Sequence, residues 1–271
     1  MTPRNNLMSR WRNLSMLLKL IILNIIVFVV IRVSGIFYFG HESPLVGFLS
    51  LPPSFSALAF KPWTIISYMF TQVEIMHLLF NMLWLYWFGS ILLLSVTPRQ
   101  LSTLYLLGGI AGALIFLSLS PLLFLHGSVI GASAAVMSVV AAAGILLPDV
   151  PLRLFLIGYV RLKWVAIVTV ILFAIGLTGT DAASHVVHIG GLTAGVIFGW
   201  QMRRGIDITA PFSAVIDRLF YHRSARSSQH STPSISDVMA KVRRSGYASL
   251  DDEERRILLS HTRHRSENSP Q

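Results

Sequence analysis

The chain has 271 residues, of which 54% are hydrophobic and 13% are charged, about half the charged share of soluble domains. Together with a mean hydropathy of +0.65, this composition excludes an ordinary soluble enzyme. The net charge of +10 indicates basic loops beside anionic lipid headgroups, and nucleic acid is not expected as a partner. The chain contains no cysteine, which excludes disulfides, thiol catalysis and cysteine-ligated metal.

Six apolar segments follow one another along the chain, each long enough to predict a membrane-spanning helix. Their approximate bounds are 16–33, 74–95, 100–119, 129–147, 164–177 and 182–202. The first has no small-residue cleavage site and is predicted to span the membrane rather than to be a removed signal. Pro98 and Arg99 are interpreted as a tight turn between the second and third spans. The predicted fold class is all-α: a polytopic membrane protein with a bundle of six transmembrane helices.

Three regions are predicted: a cytoplasmic N-terminal segment (1–15), the six-helix domain (16–204) and a cytoplasmic tail (205–271). The connection 34–62 is rich in aromatic residues and is expected to pack against the bundle or dip into the membrane interface. In the tail, apolar residues at helical spacing over 211–220 predict an interfacial helix. A basic linker and a short helical hairpin follow, with one helix over 236–245 and a second opened by Ser249 and Asp252.

The basic residues predict the orientation of the bundle. If the N-terminus is cytoplasmic, ten Lys and Arg side chains lie on the inner side: Arg4, Arg10, Arg12, Lys19, Arg99, Arg153, Arg161, Lys163, Arg203 and Arg204. Only Arg32 and Lys61 lie on the outer side. Because cytoplasmic loops carry the excess of Lys and Arg, both termini are predicted to be cytoplasmic.

Three of the spans carry chemically capable polar side chains near their outer ends. Ser133 is close to the start of the fourth span, His188 is six residues into the sixth, and His77 is near the start of the second. All three spans run from outside to inside, so the three residues are expected to lie in one layer. Polar residues within membrane segments are rare and usually functional. The hypothesis is that Ser133 is a nucleophile and His188 its base.

Each of these residues also has a purely structural interpretation. Ser133 is a small residue of the kind found at helix crossings, but at the first turn of a helix the free N–H groups stabilise an oxyanion. His188 begins a row of glycines at Gly191, Gly195 and Gly199 that predicts tight helix packing. The alternatives for His188 are a hydrogen-bonded buried histidine or a haem or metal ligand.

The remaining candidates concern the oxyanion and the substrate. His77 and Asn81 are four residues apart and share a helix face. They either steady the bundle as a polar pair or direct N–H groups at the oxyanion. Gly131 and Ala132, before the serine, are small enough to let a substrate backbone approach. The first 204 residues contain four acids, Glu42, Glu74, Asp149 and Asp181, none in the middle of a span. A Ser–His dyad without metal or cofactor is therefore favoured over a triad.

These elements resemble the rhomboid family of intramembrane serine proteases. The resemblance covers about residues 16–204 and is carried by KPWTIISYMFTQ before His77 and Asn81, by Gly131-x-Ser133 and by His188-x-x-Gly191-x-x-x-Gly195. It implies that Ser133 is the nucleophile and His188 the general base and acid. It further implies an oxyanion hole from His77, Asn81 and a backbone N–H near Ser133. The expected partners are transmembrane protein substrates in a lipid bilayer, and the expected location is the bacterial plasma membrane.

The chain departs from the family pattern at three places. Ala134 stands where a glycine usually follows the serine, Met137 stands where many bacterial members have a tyrosine that stacks on the histidine, and the first loop lacks the Trp-Arg pair.

Two other functions are weighed against the protease: a non-catalytic rhomboid relative that binds membrane proteins, and a haem-binding or transport protein that uses His77, His185 and His188. The sequence names neither a substrate nor an oligomeric state.

Overall fold

The computed structural model of the chain describes residues 14–38, 43–154, 158–175, 182–212 and 235–245, together with four positions near the end of the tail. The chain divides into two compact units, residues 1–215 and 216–271. The helices of the first unit are α1 (Met16–Ile36), α2 (Pro44–Leu49), α3 (Phe55–Phe60), α4 (Thr64–Ser67), α5 (Ile75–Leu92), α6 (Pro98–Leu119), α7 (Ser133–Leu146), α8 (Leu162–Ile175) and α9 (Ala182–Arg203). A 3-10 turn (Tyr68–Phe70) follows α4, and two antiparallel strands, β1 (Pro151–Leu154) and β2 (Gly158–Arg161), precede α8.

Each of the six predicted spans contains a helix, and the predicted helical membrane bundle is confirmed. Within the described residues, four helices are long and apolar enough to cross a membrane: α1, α5, α6 and α9. The other two, α7 and α8, have 14 residues each, which corresponds to a length of about 21 Å. A bilayer core is about 30 Å thick, so these two helices do not span it by their own length.

The helix α7 lies at the centre of the bundle. Its residues 133–143 are all buried, and apart from Ser133 and Ser138 they are apolar on every face, the pattern of a helix surrounded by protein. Four helices contact it: α5, α6, α8 and α9. The extended backbone before α7 is therefore enclosed by protein, which is where non-helical backbone is tolerated at membrane depth.

Two loops differ from the prediction. Pro98 and Arg99 belong to the first turn of α6 rather than to a tight turn, because Thr97 and Gln100 form a reciprocal capping box at the start of this helix. The basic connection between α7 and α8 folds into the hairpin β1–β2, which the all-α prediction did not include. Asp149 faces Lys163 and Arg161 at 3.3 and 3.2 Å there, and the hydrogen bond from Lys163 is the largest cause that lowers the pKa of this carboxyl.

The long connection after α1 packs against the bundle, as predicted. Leu51 exchanges two backbone hydrogen bonds of 2.9 Å with Val129, just before α7. Trp63 Nε1 donates to the carbonyl of Phe48 at 2.9 Å. Aromatic side chains of this connection are exposed, among them Phe37 and Phe60, which suits a segment in contact with lipid.

In the second unit, α10 (Ile235–Ser245) confirms the predicted helix over 236–245. Lys241 contacts Glu254 at 2.6 Å. The main-chain N–H of Asp251 donates to Glu254, and that of Glu254 donates to Asp251. Most of the predicted interfacial helix, the basic linker, and the predicted capping residues Ser249 and Asp252 lie outside the described residues.

Candidate active site

Ser133 and His188 form a direct side-chain contact between two helices of the bundle. Ser133 is the first residue of α7, and His188 lies in the second turn of α9. Their Oγ and Nε2 atoms are 2.7 Å apart, which is hydrogen-bond distance. The side chains are largely buried, with 6% and 3% of their surface exposed. A hydroxyl hydrogen-bonded to an imidazole is the arrangement that activates serine as a nucleophile.

The backbone before Ser133 is held in place from two sides. Val129 is paired with Leu51, and the N–H of Gly131 donates to the carbonyl of Tyr68 at 2.9 Å. Gly131 has a φ of +128°, a conformation that residues with a Cβ rarely adopt. The N-cap residue Ala132 is buried and makes no side-chain cap hydrogen bond to the first N–H groups of α7.

The close approach of α9 to α7 sets the Ser–His distance. A Cβ on Gly191 would collide with the backbone of Ala134, and one on Gly195 with the backbone of Ser138. Both glycines are therefore needed for the two backbones to meet this closely. His188 lies one turn before Gly191 on α9, at the same helix contact, and this position brings its ring to the first residue of α7.

The first two turns of α5 supply the other polar candidates, His77 and Asn81. A Cβ built on Gly131 would lie 3.2 Å from His77 Cε1 and 3.7 Å from Ser133 Oγ, so the His77 ring and the serine hydroxyl meet around Gly131. Asn81 is fully buried, but its Nδ2 donates to Gln72 Oε1 at 2.9 Å rather than to Ser133 or His188. Among the described residues, His77 Nε2 and Asn81 Oδ1 have no hydrogen-bond partner.

The surroundings of His188 contain aromatic rings. Phe173 of α8 meets the His188 ring edge-on, with 5.5 Å between ring centroids, and His185 does so at 6.4 Å. Within the part of the chain that the structure describes, His188 Nδ1 has no hydrogen-bond partner. No group of three or more His, Cys, Asp or Glu side chains in those ranges is arranged to hold a metal ion.

Three residues near the site were not singled out from the sequence: Asn24, Gln72 and Phe173. Asn24 had a usable signal, because it is an amide in the middle of the apolar first span. Gln72 belongs to the segment that carries the family resemblance, but nothing in its spacing predicted a contact with Asn81. Phe173 is one of many apolar residues of its span, so its contact with His188 follows only from the tertiary structure.

Two comparisons with known proteins bear on this arrangement. The rhomboid domain model matches residues 59–205, a range that contains Ser133, His188, His77 and Asn81. A similar protein, the mitochondrial rhomboid protein 1 of Saccharomyces cerevisiae, is 30% identical over 148 residues. That alignment covers 53% of this chain and 43% of the yeast protein, so the chain corresponds to less than half of this relative's length.

The chain belongs to the rhomboid family. It is therefore an integral, multi-pass membrane protein of a family whose members are in general intramembrane serine proteases.

The departure of this chain from the family pattern at Ala134 has a structural explanation. A Cβ added to Gly112 would lie only 2.9 Å from the Ala134 methyl group. Gly191 packs against the backbone of Ala134 rather than against its methyl group. The absence of a side chain at Gly112 thus leaves room for the methyl group that this rhomboid carries beside Ser133.

Proposed function

We propose that the chain is an intramembrane serine endopeptidase that cleaves transmembrane protein substrates with a Ser133–His188 dyad. The observation that carries the proposal is the 2.7 Å contact between Ser133 Oγ and His188 Nε2 at the start of a buried helix. Family membership supports the reaction class, and the site residues are assigned from geometry and from the resemblance of their motifs.

The proposed reaction begins when Ser133 Oγ attacks the scissile carbonyl carbon while His188 Nε2 accepts the hydroxyl proton. For Nε2 to accept, the neutral ring must carry its own proton on Nδ1 before the attack, and the resulting imidazolium holds one proton on each ring nitrogen. The oxyanion lies near the uncapped N–H groups at the start of α7, with N–H donors from His77 and Asn81 beside it. His188 next gives its proton to the leaving amine, and an acyl-enzyme remains on Ser133. Water, deprotonated by His188, hydrolyses this ester and regenerates the serine.

The proposed orientation has both termini in the cytoplasm, in a bacterial plasma membrane. The excess of Lys and Arg on one side of the bundle supports this orientation. Ser133 then lies below the outer surface, and the substrate bond that reaches it lies near the outer end of a substrate helix. No cofactor is part of the proposed mechanism.

The test uses the full chain in liposomes with a single-span model substrate. Ser133→Ala and His188→Ala should each lower the cleavage rate by about 10³-fold or more. The nucleophile and its base depend on each other, so the loss of either one removes nucleophilic catalysis. The matched control is Ser138→Ala. Ser138 is a second buried serine of α7, and its hydroxyl donates to the carbonyl of Ala135 at 2.7 Å. This variant should cleave at a rate close to that of the wild type.

A fluorophosphonate probe gives a readout that is independent of the substrate. Labelling of the wild type and of Ser138→Ala, but not of Ser133→Ala, is the expected result. Equal cleavage by wild type and Ser133→Ala would contradict the nucleophile assignment. Absence of both cleavage and labelling in the wild type would favour a non-catalytic rhomboid that binds membrane proteins.

A further inference from the structure

A chain of buried polar side chains runs from the first helix to Asn81. It contains Asn24 of α1, Gln72 of the segment between α4 and α5, Asn81 of α5, and Tyr105 of α6. All four have 0% of their surface exposed. Gln72 Nε2 donates to Asn24 Oδ1 at 3.3 Å, and Asn81 Nδ2 donates to Gln72 Oε1 at 2.9 Å. We call Asn24, Gln72 and Asn81 the amide relay.

The direction of the hydrogen bonds in the amide relay is fixed at its first member. Asn24 Nδ2 lies 2.9 Å from the carbonyl oxygen of Leu20, and a carbonyl oxygen only accepts. The nitrogen of Asn24 must therefore face Leu20, and its oxygen must face Gln72. Tyr105 Oη, 3.1 Å from Asn24 Nδ2, is compatible with this arrangement because it accepts there while lying 3.4 Å from the Met69 carbonyl.

The same constraint passes along the relay to Asn81. Because Asn24 Oδ1 only accepts, Gln72 must present its nitrogen to it and its oxygen to Asn81. Asn81 must then present Nδ2 to Gln72. A rotation of any one amide by half a turn would place two oxygens or two N–H groups against each other in a buried site, where unpaired polar atoms are most unfavourable.

We propose that Gln72, oriented by Asn24, is a positioning residue that fixes which way the Asn81 amide faces, with its nitrogen rather than its oxygen held by Gln72. This inference rests on the proposed function, since the oxyanion is what Asn81 would bind. A carboxamide nitrogen carries two hydrogens. One of them is used by Gln72, and the second is left for the substrate oxygen. The relay also connects α1, which lies outside the matched family domain (59–205), to the chemistry at Ser133.

The experiment measures kcat and KM in liposomes for the full chain and its variants. Gln72→Met keeps the length of the side chain but removes both polar atoms. It should lower kcat by about 10- to 100-fold, by analogy with the loss found when the hydrogen-bonded support of a metal ligand is removed, with little change in KM. Asn24→Leu should lower kcat in the same direction, because Gln72 then loses the group that orients it.

A double-mutant cycle separates positioning from general destabilisation. If Gln72 acts through Asn81, then Gln72→Met should have no further effect on kcat in the Asn81→Ala background. Gln72→Glu should retain most of the activity. A buried carboxyl takes up a proton, and in that form it donates to Asn24 and accepts from Asn81 as the glutamine does. If Gln72→Met fails to fold, Asn24→Leu is used in the same cycle.

The matched control is Gln201→Met, the same replacement at a glutamine near the far end of α9 whose Oε1 has no partner among the described residues. It should leave kcat unchanged. Full activity of Gln72→Met or of Asn81→Ala, or losses that add in the double variant, would overturn the positioning role. Failure of the proposed function gives a different result, because wild type and Ser133→Ala would then be equally inactive or equally active.

Discussion

Within the described ranges, the ring of His188 is held by packing, and no carboxylate there contacts its Nδ1. Its Nε2 contacts Ser133, and Phe173 meets it edge-on from α8, while Nδ1 has no hydrogen-bond partner among the described residues. Many bacterial rhomboids are expected to use a tyrosine one turn after the serine for ring packing. In this chain that position is Met137, a buried but flexible side chain. The aromatic neighbours of His188 come from α8 and from its own helix.

At this scale, we predict that Phe173→Leu lowers kcat by about 2- to 10-fold, because an aromatic pair of this kind contributes about 0.5–1.5 kcal/mol. KM should change little, since Phe173 contacts the histidine rather than Ser133. Phe173→Tyr should keep the wild-type rate. The measurement is steady-state cleavage in liposomes.

The control for Phe173 is Leu172→Ala, which changes the exposed neighbouring residue on α8 and should leave kcat unaltered. A Phe173→Leu enzyme with wild-type kcat would show that the edge contact does not position the ring. An equal loss in Leu172→Ala would attribute the effect to α8 as a whole.

The elements that build the site are α7 and α9, and their contact depends on the absence of side chains. In a membrane, burial of apolar surface does not drive helix association, since lipid tails are as apolar as leucine. Close van der Waals packing must supply the stabilisation. Gly191 and Gly195 give this packing against the backbone of α7, and His188 is placed by the same face of α9.

At the element scale, we predict that Gly191→Ala destabilises the bundle by about 2 kcal/mol or more, because overpacking against backbone cannot be relieved by a rotamer change. Activity should fall as well, since α9 carries His188. Gly195→Ala, which meets the backbone of Ser138, should behave similarly. The measurement is thermal unfolding in detergent together with cleavage in liposomes.

Gly47→Ala is the control for this pair, because nothing lies within 4 Å of a Cβ at Gly47 in α2. It should unfold and cleave like the wild type. Wild-type stability of Gly191→Ala would mean that α7 and α9 separate without penalty, and the tight-packing explanation of the Ser–His distance would then fail.

For the whole molecule, the orientation in the membrane decides on which side a substrate is cleaved. The chain contains no cysteine, so single cysteines report their own accessibility without background. Phe124, in the connection between α6 and α7, is 79% exposed, and Tyr159, in the hairpin between α7 and α8, is 75% exposed. The two positions lie at opposite ends of α7.

At this scale, we predict that a membrane-impermeant maleimide labels Phe124→Cys on intact cells, but labels Tyr159→Cys only after permeabilisation. The reason is the predicted cytoplasmic location of the basic hairpin. The wild type is the unlabelled control. Labelling of Tyr159→Cys alone on intact cells would invert the orientation and place the site near the cytoplasmic surface.

The sequence by itself determined the order and helical type of the six long apolar segments, because an apolar run of this length is recognisable from its own residues without knowledge of its neighbours. The short helices α2, α3 and α4 were not predicted. It also identified Ser133, His188, His77 and Asn81 as candidates, because polar residues are conspicuous in apolar segments. The boundaries of α6 and the hairpin before α8 were not predicted. They depend on the Thr97 cap and on strand pairing, which hydropathy does not encode.

Only the tertiary structure decided which candidates meet and what supports them. The 2.7 Å contact between Ser133 and His188 results from the approach of two helices far apart in sequence. Asn81 is bonded to Gln72, and Gln72 to Asn24 of a third segment. A contact of this kind depends on distances between elements, whereas a sequence pattern reports only the periodicity within one element. The polar residues of the site and the pairing of Ser133 with His188 were therefore predictable from the sequence, whereas the hydrogen-bonded partners of Asn81 were not.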